Sequence, residues 1–234
     1  MATAAKRPPV LGYGDLGSSL LFIFPLFLLY GVGVAFAPAM NGVDFVSKNL
    51  FAAVGHDRTT YLLVYAVLAT IFIAALALLR RKRLFDSRRF PPMLLESAIY
   101  ALTLGSLIIF VMRNIFGFDP QLATGGLAST IVLSVGAGVH EELVFRLGMF
   151  SGGAAVLMGV GLKPRLALAI AIAGSSILFS AAHHVGAAGD PWAFDVFVYR
   201  ALAGVLFAAI YYFRSLAHAV YTHALYDIYV LVLR

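Results

Sequence analysis

The sequence predicts an all-α, polytopic integral membrane bundle of about eight transmembrane segments, with seven as the alternative. Three observations predict it. Of the 234 residues 62% are hydrophobic and 12% charged, where a soluble domain is nearer half apolar and a quarter charged; the mean hydropathy is +0.93. Apolar runs of about 20 residues, the length that spans a hydrocarbon core at about 1.5 Å per residue, recur along the chain. The basic residues gather at the ends of those runs, where they orient a membrane protein and meet anionic headgroups.

Taken in order, the runs fall at roughly 17–40, 60–79, 94–116, 166–185, 192–213 and 215–233, with a longer stretch at 125–161. The first follows a polar N-terminus carrying Lys6 and Arg7, which shows no cleavage site, so no removable signal peptide is expected. The second ends at Arg80-Arg81-Lys82-Arg83 and the third opens past Arg88, Arg89, Pro91 and Pro92. By the positive-inside rule that loop is cytoplasmic, and with it the N-terminus. The stretch 125–161 is too long for one ordinary span and short for two. Its Gly, Ser and Thr suit close helix packing. Lys163, Arg165 and Arg214 favour a single crossing by charge. A return near 147–161, giving eight segments, is expected from depth, because it would bring the following helix back to Glu141 near the cytoplasmic face. No internal repeat or soluble domain is visible; residues 1–234 read as one membrane domain. The net charge of +6 is membrane orientation and points to no nucleic acid, and the absence of cysteine excludes a disulfide, a thiolate nucleophile or a cysteine metal site.

Inside these apolar segments stand residues that cost about 2.5–3.5 kcal/mol or more each at mid-membrane unless paired or used. Gly138 to Met149 read GVHEELVFRLGM. Glu142 and Arg146 are four apart, acid before base, and predict an ion pair on one helical face. Glu141 is turned about 100° from Glu142 and is left free to point elsewhere. Burial and a neighbouring carboxylate tune a carboxyl toward general-base work near neutral pH. Phe179 and His183 lie near one helix end, and His223 and Asp227 stand one turn apart in AVYTHALYDIY. His56, His140 and His218 read as interfacial or packing histidines, and Asp195 and Arg200, five apart, as structural. Position 144 is Val, so His140-Glu141 does not open an HExxH zinc motif. Glu141, His183 and His223 could still form a His₂Glu zinc site in space.

Glu141-Glu142-x-x-x-Arg146, Phe179-x-x-x-His183 and His223-x-x-x-Asp227, in that order and all in apolar segments, resemble the three-motif signature of the CPBP family. These are the CAAX-protease and bacteriocin-processing intramembrane proteases related to the Ras-converting CAAX endopeptidase. The resemblance covers about residues 95–234. It implies a catalytic core over 94–234 behind variable N-terminal spans at 1–93, in a bacterial inner (cell) membrane. It implies a glutamate-dependent endopeptidase with no cofactor and no required metal, acting on a membrane-associated peptide or protein or a C-terminal tail. Glu141 would activate water and His183 help hold it. His223 and Asp227 would polarise the scissile carbonyl and stabilise the oxyanion. Glu142 and Arg146 would support them, with Phe179 and with Arg200, which falls in the stretch before the last motif. Two departures stand out. The last motif often ends in Asn, and here it is Asp227, which donates a hydrogen bond only if protonated. His184 offers an alternative to His183, although spacing from Phe179 selects His183. The rival readings are a zinc-dependent membrane protease and a non-catalytic scaffold or immunity protein; a transporter is disfavoured by the lack of an inverted repeat.

Overall fold

The computed structural model describes residues 15–37, 40–82, 85–118, 127–186 and 189–232. Lys6, Arg7, Arg83 and the first residues of the 125–161 stretch lie outside them. Among the described residues the chain forms eight helices and no strand. They are α1 (Leu16–Phe36), α2 (Phe45–Ala53), α3 (Arg58–Arg81) and α4 (Ser87–Phe116). After them come α5 (Leu127–Gly159), α6 (Pro164–Ala182), α7 (Phe194–Phe213) and α8 (Leu216–Val232). Six of these, all but α2 and the 17-residue α8, are long and apolar enough to cross a bilayer. Local chemistry sets the starts. Asp15 accepts from the backbone N–H of Gly17 and Ser18 ahead of α1; Asp44 accepts from that of Ser47 at α2; Pro164 opens α6, where a missing N–H costs nothing.

The expected return within 125–161 does not occur. Leu127–Gly159 is one uninterrupted helix of 33 residues, about 50 Å long. Gly148, Gly152 and Gly153 stay helical within it, because in lipid a break would orphan backbone donors and acceptors that the helix satisfies. Its middle, Ala137–Gly152, is wound wider than an α-helix, in the π form that recurs at functional sites. The depth argument for a return fails for a simple reason. The helices α5 and α6 are a hairpin turned at 160–163, so residues equally far from the turn share a level however many crossings precede them. Glu141 is 18 residues before Gly159, and His183 is 19 after Pro164.

Neighbouring helices alternate in direction. Gly33 of α1 lies on Val132 and Gly136 of α5 on Tyr30; Phe145 of α5 meets Phe179 of α6; Ser180 of α6 bonds to the carbonyl of Phe197 in α7; Phe207 of α7 stacks on His223 of α8. The parallel pair is α4 and α8, where Ser97 lies by His218 and Thr222, and Gly105 by Tyr229. The central helix is α8. One apolar cluster joins its Val220 to Phe22, Val139 and Phe150, and a second joins its Tyr226 to Leu104, Ile108 and Phe207. Close approach of α5 to α8 depends on Gly138, where a Cβ would stand 2.7 Å from the carbonyl oxygen of Val220. Where the described helices bury the most, α5 and α8, the polar residues are found.

Candidate active site

The wide-wound centre of α5 sends three consecutive side chains in three directions, each buried. His140 turns toward the N-terminal third, where its Nε2 lies 3.2 Å from Asp44 Oδ1 and its Nδ1–H donates to the Gly136 carbonyl. Glu142 lies between Arg146 and His223. One of its oxygens is 3.1 Å from Arg146 Nε, and the other accepts from His223 Nδ1 at 2.7 Å. Glu141 faces a cavity of about 510 Å³. Its Oε1 accepts from Asn41 Nδ2 at 2.6 Å. Its Oε2 has no hydrogen-bond partner among the described residues. That oxygen is 3.6 Å from His183 Nε2 and 4.0 Å from His223 Nε2.

The two histidines are oriented alike. His183 donates its Nδ1–H to the Phe179 carbonyl at 2.8 Å, since a carbonyl can only accept. His223 spends its Nδ1 on Glu142. Each ring therefore turns Nε2 toward Glu141 Oε2. Asp227, also on the cavity wall, places Oδ2 3.5 Å from His223 Nε2. The three motifs read from sequence thus converge on one point, from α5, the end of α6, and α8.

Beneath them Arg146 is 1% exposed. Its guanidinium lies 4.5 Å from the Phe179 ring centre and 5.5 Å from that of Phe207, and it donates to the Gly204 carbonyl at 3.2 Å. A cation held between two rings and a carboxylate is compensated without water. Gly204 leaves room for this, since a Cβ there would press on Ser176 and Phe179. Phe179 also sets the plane of His183, edge to face at 5.0 Å. Arg200 lines the cavity and pairs with Asp190, not with Asp195. His184 packs on Trp192 at 5.0 Å and does not reach the cavity wall. His218 is bound to Ser215 and lies 3.4 Å from Glu96.

The sequence reading missed the support from the N-terminal third. Asn41 holds Glu141, its own N–H donates to Tyr30 Oη, and Tyr30 donates to Asp44 at 2.8 Å. Asp44 in turn faces His140. The only signal was an Asn and an Asp, one and four residues past the end of the apolar run 17–40, ordinary residues for a turn.

Fold and site define a polytopic membrane protein with a carboxylate and histidine centre buried between its helices. Residues 123–229 match the family described as Rce1-like: Type II CAAX prenyl endopeptidase Rce1-like. Residues 123–229 are thus similar to the CAAX-protease family, the family whose three motifs the sequence resembles. No match was found among curated proteins or solved structures. All three motifs lie within the matched residues, whereas Tyr30, Asn41 and Asp44 precede them.

Proposed function

We propose that this chain is a glutamate-dependent intramembrane endopeptidase that hydrolyses a peptide bond in a membrane-associated substrate. The observation that carries it is the unpartnered Glu141 Oε2 faced by His183 and His223 Nε2 across a cavity. A water bridging Glu141 and His183 gives its proton to the carboxylate as its oxygen attacks the scissile carbonyl carbon. Negative charge then develops on the carbonyl oxygen. His223, protonated on both nitrogens between Glu142 and Asp227, donates Nε2–H to that oxygen. When the tetrahedral intermediate collapses, the C–N bond breaks and Glu141 returns its proton to the leaving amine. Asp227 works through His223 here, as an ion partner, which accommodates a carboxylate where relatives often have Asn. The basic loop 80–89 and the N-terminus lie on the cytoplasmic side of the cell membrane in this reading, behind variable N-terminal spans that help to hold the catalytic core.

The test is hydrolysis by purified protein in vesicles. Glu141→Gln keeps shape and most hydrogen bonds and removes the base, so it is expected to abolish cleavage while the helical signal and melting temperature persist. Normal turnover by that variant would refute the mechanism; a scaffold or immunity function would tolerate it. A zinc-dependent reading is the rival. Both histidines donate Nδ1–H to an oxygen, the arrangement that also orients imidazoles toward a metal, but among the described residues no group of three or more His, Asp and Glu is placed to hold one. Under the metal-free reading, activity survives exhaustive phenanthroline. Loss that added zinc restores would replace it with the zinc reading.

A further inference from the structure

The cavity opens at one end of the bundle. There its wall is Asn41 and Gly42 from the α1–α2 connection and Val185, Gly189 and Asp190 from the α6–α7 connection. Gly42 and Val185 are exposed, Val185 to 73%. The α3–α4, α5–α6 and α7–α8 connections contribute nothing to this wall among the described residues. They lie at the opposite end, as the alternating helix directions require.

The charges divide by the same ends. Around the three connections away from the cavity stand Arg80, Arg81, Lys82, Arg88, Arg89, Lys163, Arg165 and Arg214. At the cavity end stand Lys48, Arg58, Arg113 and, paired with Asp190, Arg200. Eight against four, with the eight in short connections, is the asymmetry that fixes orientation in a bilayer. Because α5 is a single helix, Lys163, Arg165 and Arg214 join the basic loop on one face instead of opposing it.

We infer that the catalytic cavity opens to the non-cytoplasmic side of the membrane. Its substrates are therefore polypeptide segments exposed on that side, parts of exported or membrane-anchored chains, and not cytosolic C-terminal tails. The substrate half of this inference rests on the endopeptidase reading; the orientation half does not.

The absence of native cysteine makes a clean test possible. Val185→Cys and Lys82→Cys, each in the full chain in a bacterial host, are treated with a membrane-impermeant maleimide in intact spheroplasts and after lysis. Val185→Cys is expected to label fully in intact spheroplasts and Lys82→Cys only after lysis. The reverse pattern, or equal labelling of both before lysis, overturns the orientation. A second arm compares newly formed peptide termini in membranes holding wild type or Glu141→Gln. Termini lost in the variant are expected to map to the non-cytoplasmic side, and cytoplasmic termini overturn the substrate class. Identical termini in both membranes overturn the endopeptidase reading and the substrate class with it, and leave the labelling result standing.

Discussion

At the scale of single residues, Glu141 and Glu142 differ by environment alone. Glu142 is enclosed by Arg146 and His223, so each of the three neutralises a neighbour. Removing one partner strands a buried charge, which costs about 3–5 kcal/mol. Glu142→Gln and Arg146→Ala are thus expected to lower the unfolding midpoint as well as activity, in contrast to Glu141→Gln, and denaturation in detergent checks it. Asn41 acts one step further out, positioning the Glu141 carboxylate through a 2.6 Å hydrogen bond. Loss of a hydrogen bond to a charged group costs about 1.5–3 kcal/mol, so Asn41→Ala should lower kcat by roughly ten- to hundredfold. KM should change less than kcat, since Asn41 acts through the Glu141 carboxylate; a change confined to KM would argue against the positioning role. The pairing of Glu142 with Arg146 was legible in the sequence because i,i+4 spacing on a helix is a local rule. Asn41 was not, because its partner is 100 residues away and no period announces a turn residue that folds back over a site.

At the scale of elements, helix existence was legible and helix continuity was not. Hydropathy marks apolar length, and Leu127–Gly159 has an excess of it that composition alone divides equally well into one long helix or two short ones. What decides is close packing along its whole length, against α1, α6 and α8. Gly138 is the least yielding contact in that packing. A Cβ there meets the Val220 carbonyl and Ala224, all backbone or short side chain, so nothing can swing aside. Overpacking of this kind costs typically about 1–3 kcal/mol. Gly138→Leu is expected to push α5 off α8, separate Glu142 from His223, and lose both stability and cleavage. A variant that melts and cleaves like wild type would show that the two helices have slack.

At the scale of the whole molecule, the three motifs, 33 residues or more apart in sequence, meet because two hairpins, α5–α6 and α7–α8, fold against each other at the level of one cavity. The order of motifs in the chain foretold their meeting. The sequence reading expected the site near the cytoplasmic face, but which end of the bundle the cavity faces depends on whether the number of turns between the basic loop and His183 is odd or even, and one misread helix reverses it.

Across the same bundle the helices differ in how much protein they touch. Only 6% of the most apolar window of α3 is buried, whereas α5 buries 56% of its own. Leu63, Val67, Ile71 and Ile73 look outward from α3, each more than half exposed, into what the bilayer fills with acyl chains. Lipid tails adapt to a changed methyl group at no cost in cavities or clashes, while close-packed side chains do not. A saturation library scored for cleavage should therefore find α3 the most permissive span, accepting nearly any aliphatic at those four positions. The centre of α5 should be the least permissive, and divergence among natural variants of this chain should accumulate in the same pattern.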